Sequence, residues 1–288
     1  MIAAQFDYKV PKSLAEAVSL LAADPDGAKV LAGGHSLIPA MKLRLAQPQL
    51  LVDIARLKEL SYIREDGDRI LIGATTTHYR LESSELLKQI CPLLPACAAS
   101  IGDVQVRNKG TIGGSLAHSD PAGDWPAAAI ALHAELVLVG PNGERIVSAD
   151  DFFLDLLTTD LQPGEILREI RINKPSGKFG QAYQKVPHPA SGFAVVGIAV
   201  NLSFKTDGSC ESASIGVTGV GVKAYRASAA ESGLVGSNLD DAAISNAASH
   251  VCDGIDPNAD LYASGEYRVH LAQVHTRRAI AAAKNSAH

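Results

Sequence analysis

The sequence predicts an α+β protein, on three observations. Amphipathic helix patterns and short apolar strand runs are mixed through the first 177 residues. Two Gly-Gly turns lie far apart in that region, and each leads into a helix-compatible run. After Lys178 the order changes to three strand-like runs followed by three helix-like ones, which segregates a sheet from a bundle. The run of elements divides the chain into units at 1–54, 55–177 and 178–288, with no Pro/Gly linker long enough to separate independent domains.

In the first unit, Ser13-Leu14-Ala15-Glu16 is a capping box, and Leu14, Ala17, Val18 and Leu21 share the helical face that follows. Lys29-Val30-Leu31 is a short strand delivering the chain to Gly33-Gly34. A helix from about Leu37 to Leu45 turns Met41 and Leu45 inward, Pro48 stops it, and Leu50–Ile54 is a buried strand. In the second unit, 62–64 and 69–73 form a hairpin around Glu65-Asp66-Gly67-Asp68. Helices follow at about 79–90 and 92–101, the latter opening with Pro92. A glycine loop at 110–114, a helix from Asp124-Trp125-Pro126, a hairpin over 135–147 and a strand at 166–172 complete the unit. In the third, strands at 180–185, 193–204 and 211–222 precede helices at about 226–234, 240–252 and 266–284.

The chain has 288 residues, 47% hydrophobic and 20% charged, an ordinary balance for a globular protein of more than one core. A formal net charge of −5 with no Lys/Arg cluster outside the C-terminal helix argues against nucleic acid as a partner. The longest apolar run, Phe193–Val200, is too short to span a bilayer, and the N-terminus has no secretory pattern, so a cytoplasmic location is expected. Cys91, Cys97, Cys210 and Cys252 show neither iron–sulfur nor zinc spacing and are expected to be buried thiols.

The chemistry concentrates in Ala32-Gly33-Gly34-His35-Ser36-Leu37 and in Gly110–Pro126, which holds Thr111, Gly113, Gly114, Ser115, Asp120 and Asp124. Glycines let a ligand approach the main chain, and successive N–H groups turned one way form an anion-binding nest. Two such turns suit the two phosphates of a dinucleotide, and a carboxylate such as Asp124 suits its hydroxyls. Both Asp120 and Asp124 could instead cap the next helix. Gly216–Gly221 misses the order of a dinucleotide fingerprint, no phosphate-binding G-x-x-x-x-G-K-[ST] loop exists, and Ser36 lacks a nucleophile-elbow context. No catalytic nucleophile or acid–base pair is expected.

The runs AGGHSLIPAMKLRLAQP at 32–48 and VRNKGTIGGSLAHSDPAGDWPA at 106–127 resemble the FAD signatures of the flavin subunit of molybdenum hydroxylases. The likeness spans essentially the whole chain and is strongest to the medium subunit of aerobic carbon monoxide dehydrogenases. It implies a two-subdomain FAD-binding fold of the vanillyl-alcohol-oxidase-like type, followed by a three-stranded antiparallel sheet and a three-helix bundle. It further implies FAD as cofactor, Thr75–Thr77, Ile101, Leu161 and Lys185 near it, and Phe193 covering one face of the flavin. The implied partners are a molybdopterin-binding large subunit and a small subunit with two [2Fe–2S] clusters, in a dimer of heterotrimers. Where the family has Asn, this chain has Ser115, the single feature favouring an alternative reading as a flavin-free assembly protein. The Tyr183–Phe193 loop, stiffened by Pro187 and Pro189, is expected to border the flavin's exposed edge.

Overall fold

The structure is a computed structural model and describes residues 2–288. Ser13 caps the helix Leu14–Ala23, its hydroxyl accepting from the Glu16 N–H at 3.2 Å, and Ala17, Val18 and Leu21 are buried. Strands Ala28–Leu31 and Leu50–Asp53 pair in parallel beneath this helix. A third strand, Asp7–Lys9, pairs with the other edge of Leu50–Asp53. All three of its residues are exposed, so it carries no alternating apolar signal in the sequence. The helix that opens at Leu37 closes at Lys42, earlier than expected, because Arg44 adopts a left-handed φ of 59° and turns the chain. Leu45 consequently faces outward rather than into the core.

The central sheet is antiparallel, in the order Ile63–Asp66, Arg69–Gly73, Ile166–Asn173, Glu135–Gly140, Gly143–Ser148. The expected helix over 79–90 is two helices, His78–Glu82 and Glu85–Ile90, because Ser84 caps the second. Helix Asp124–Ala131 is buried at every position, as a helix apolar all round must be. It lies between the central sheet's core and the last sheet: a Cβ on Gly216 would stand 1.9 Å from the Ala127 carbonyl oxygen.

The last sheet is antiparallel, with strands Lys178–Pro187, Ala194–Phe204 and Cys210–Thr218 in chain order. A two-residue strand, Tyr225–Arg226, adds a fourth edge where a helix start is expected. Helices Ser228–Ser232, Asp241–Ser249 and Gly265–Asn285 follow. The four thiols are free; Cys91, Cys97 and Cys210 are buried, but Cys252 is only half-buried. Among the described residues no helix is long and apolar enough to cross a membrane.

Candidate functional site

The principal cavity, about 810 Å³, is bounded by all three units of the chain. Ala32–Leu37, Ile101, Thr111, Gly113–Ser115, Asp120, Asp124, Leu161 and Phe193 all border it. Thus the expected binding residues, apart from Thr76, Thr77 and Lys185, line one space. The cavity is lined at one part by Leu21 and Gly164, where a Cβ on Gly164 would stand 3.5 Å from the Ala22 Cα, and at another by Ile101–Gly102 and Gly192–Phe193, where a Cβ on Gly192 would stand 3.6 Å from the Gly102 Cα.

The first glycine turn is built for close approach. Strand Ala28–Leu31 ends on it, and Gly34 takes a φ of 74°, open to glycine without strain. A Cβ on Gly33 would lie 2.2 Å from the Lys109 carbonyl oxygen, so the two glycine segments touch main chain to main chain. The N–H groups of Gly33, Gly34, His35, Ser36 and Leu37 find no acceptor among the described residues. Ser36 precedes helix Leu37–Lys42 but its hydroxyl makes no capping bond. Five consecutive N–H groups without acceptors and a hydroxyl that caps nothing, on residues lining one cavity wall, are of the kind that can form an anion nest.

The second glycine segment differs from the expected loop. It is the helix Ile112–His118, capped by Thr111, whose Oγ1 accepts from the Gly114 N–H at 3.1 Å. The other early N–H groups also have acceptors: Ile112 donates to Thr76, Gly113 to Ala74 and Ser115 to Thr111. Gly113 is required by packing rather than by a positive φ, since its Cβ would stand 2.4 Å from the Ala74 Cβ. Gly114 opens onto the cavity. This wall therefore offers side-chain groups rather than backbone donors.

Neither aspartate caps the following helix, whose cap position is Gly123. Asp120 instead accepts from the Ala122 N–H at 2.8 Å. Asp124 is buried at the first helical position, accepting from Tyr183 Oη at 2.5 Å and from Lys185 Nζ at 2.8 Å. Burial pushes its carboxyl up, against the pull of Lys185 and Tyr183. Lys185 also donates to the Ser100 carbonyl at 2.9 Å, and sits behind the cavity wall rather than on it. The turn Asp120–Gly123 is pinned by the last sheet: the Thr218 hydroxyl reaches the Pro121 and Gly123 carbonyls, Gly219 N–H donates to Pro121, and Ala194 N–H donates to Ala122. Phe193, expected to open a buried strand, lies just before it with its ring half-exposed at the cavity.

Sequence reasoning did not single out His78. Its ring is 5% exposed and borders the cavity, with Nδ1 accepting from Trp125 Nε1–H at 3.0 Å. Local patterning holds no sign of this pairing, because the partners are 47 positions apart. Thr75 also borders the cavity, and its buried Oγ1 has no partner. Burial, then the nearby His35 and Arg107, lowers the His78 pKa from 6.5 to about 4. The neutral ring is therefore the folded-state form, and its stabilising contribution is complete above pH 6.5 and lost as pH falls towards about 4. Between pH 7 and pH 4.5 the unfolding free energy should fall by about 2 kcal/mol more in the unaltered chain than in His78→Gln. Urea titrations at both pH values check this; equal losses would refute it.

A cavity of this volume, with a row of unpaired N–H groups on one wall and a largely apolar lining, has room and chemistry for a dinucleotide cofactor. The family model described as the FAD binding domain in molybdopterin dehydrogenase matches residues 4–175, and that of the CO dehydrogenase flavoprotein C-terminal domain matches 181–283. The chain belongs to this family of FAD-binding molybdopterin dehydrogenase subunits. It is 42% identical to the carbon monoxide dehydrogenase medium chain of Hydrogenophaga pseudoflava over 98% of each chain. It superposes on a chain of solved carbon monoxide dehydrogenase from that organism with a TM-score of 0.97, at 43% identity and 100% coverage of both. Quinoline 2-oxidoreductase from Pseudomonas putida 86 matches with a TM-score of 0.92, at 34% identity and 99% coverage of both. The chain is an FAD-dependent oxidoreductase subunit, and FAD is its cofactor.

Proposed function

We propose that this chain is the electron-transfer subunit of a carbon monoxide dehydrogenase-like molybdenum hydroxylase. It takes electrons from [2Fe–2S] clusters on a small partner subunit and passes them to a terminal acceptor. A large partner subunit carries molybdopterin and oxidises the substrate, and two such heterotrimers pair in the cytoplasm. The observation that carries the reading is the row of five free N–H groups at Gly33–Leu37, which suits a pyrophosphate. Thr75 Oγ1, orphaned at the same cavity, supports it further, since a buried hydroxyl without a partner fits a polar ligand.

In this reading the division 1–54, 55–177 and 178–288 has a purpose. The first unit supplies the N–H row, the second the facing wall, and the third closes one end with Ser191–Phe193. Ala32, His35 and Leu37 line the pyrophosphate's approach, Ile101 and Leu161 give apolar contact, and Phe193 covers the ring. Ser115 and Thr111 offer hydroxyls, Asp120 an acceptor, and Asp124 with Lys185 a fixed polar floor. Bound FAD supplies the conversion between one-electron donors and a one- or two-electron acceptor. The residues of this chain hold and orient it and limit water's access. A flavin-free scaffold has no use for an unpaired N–H row, so Ser115 alone does not favour that alternative.

Gentle isolation with the partner chains should yield one FAD per copy, released on denaturation and read by absorbance. Less than about a tenth of that content after addition of excess FAD would overturn the proposal.

A further inference from the structure

Segment 75–78 is strapped to the second glycine segment. The His78 N–H donates to the Gly110 carbonyl at 3.0 Å, Ile112 N–H donates to Thr76 at 3.1 Å, and Thr77 forms a bridge with Thr111. The His78 ring is thereby held from its own backbone. Its inner nitrogen, Nδ1, is held by Trp125, itself 1% exposed, whose indole N–H can only donate. Nδ1 must then be the acceptor, and the neutral ring carries its proton on Nε2.

Nε2 lies against the Gly110 Cα: a Cβ there would stand 2.6 Å from it. The same Gly110 Cα is 2.8 Å from where a Gly33 Cβ would be, so Gly110 neighbours both Nε2 and Gly33, the first residue of the free N–H row. Nε2 has no hydrogen-bond partner among the described residues, although the ring is nineteen-twentieths buried and borders the cavity. The backbone N–H groups of 112–115 are all bonded within the chain, so this wall lacks main-chain donors of its own.

We propose that His78 is a further FAD-binding residue: a tautomer-locked neutral donor whose Nε2–H bonds a pyrophosphate oxygen from beside Gly110, next to the N–H row. The proposal rests on the flavin reading of the cavity and adds to it a role for His78, with Trp125 as the residue that positions it. The chemistry required is an oxyanion within reach of Gly110, and a pyrophosphate lying on Gly33–Leu37 brings one there. A neutral donor suits a site already rich in N–H dipoles, because it adds a bond without placing a buried charge.

The test uses the full chain stripped of flavin, with FAD itself as the probe. In protein labelled with 15N-histidine, long-range 1H–15N correlation should show His78 protonated on Nε2 and bare on Nδ1. Adding FAD should leave that tautomer in place and shift the Nε2 proton downfield. Fluorescence titration should find FAD bound roughly 10- to 100-fold more weakly by His78→Phe, the worth of a hydrogen bond to a charged acceptor. His78→Gln, which keeps an N–H donor, should recover most of that loss. The NMR experiment needs no variant, so it stands even if His78→Phe folds poorly. FAD that binds tightly while the Nε2 proton stays unmoved would overturn the role of His78 and leave the flavin site standing. Failure of FAD to bind the unaltered chain at all would overturn the flavin site itself.

Discussion

Gly33→Val is expected to abolish FAD retention. The new Cβ would stand 2.2 Å from the Lys109 carbonyl oxygen and 2.8 Å from the Gly110 Cα, both main-chain atoms that no rotamer change can move aside. The two glycine segments would have to part, taking the Gly33–Leu37 N–H groups off their common wall. A control separates this from general destabilisation. Gly67 has a φ of 62° with nothing within 4 Å of a Cβ, so Gly67→Ala should lose about 1–2 kcal/mol of stability and keep its flavin. Flavin content after gel filtration, with urea unfolding in parallel, reads both effects. A folded Gly33→Val that keeps wild-type flavin would mean the pyrophosphate lies elsewhere.

Asp124→Ala should be the most destabilising single change near the cavity. It strands Lys185, whose remaining partner is the Ser100 carbonyl, and it leaves the Tyr183 hydroxyl without an acceptor. Breaking a buried pair at one end costs about 3–5 kcal/mol, because the surviving charge stays out of water. The sequence alone suggests a milder result, loss of one contact to the cofactor, because nothing local reveals that both carboxylate oxygens are already engaged. The double variant Asp124→Asn, Lys185→Met should recover most of the loss, since an amide can still accept from Tyr183 and no charge remains. A single-variant loss under about 1 kcal/mol, measured by urea unfolding, would show that water reaches the pair.

The legible parts of this protein were those written in short range. Ser13 through Leu21 announces its helix by a cap and a repeat, and Thr206-Asp207-Gly208-Ser209 announces a hairpin between Ala194–Phe204 and Cys210–Thr218. The glycine pairs marked the cavity, but Gly113-Gly114 reads as a loop because glycine disfavours helices. Contact with Ala74 explains why glycine is kept there inside a helix, and that contact spans 39 positions. Strand Asp7–Lys9 is hidden for a different reason: an exposed edge strand has no buried face to pattern. Lys185 and Phe193 were reached through resemblance alone, since a lysine in a strand and an aromatic before one look like surface and core. His78 was missed on both routes, as its meaning depends on Trp125 and Gly110 together.

The Asp120–Gly123 turn, fastened by Ala194, Thr218 and Gly219, bears on how the protein comes into being. Every residue on that turn is synthesised some seventy or more positions before the groups that fasten it. As the chain leaves the ribosome, both glycine segments emerge early, yet the wall carrying Asp120 and Gly123 stays unfastened until Gly219 is out and the last sheet has paired. The cofactor's chamber is thus finished by the end of the chain rather than by the signatures that mark it, and loading of FAD becomes a late event in biogenesis. A nascent or truncated product that already displays both glycine motifs has the recognisable half of the site without the half that shapes it.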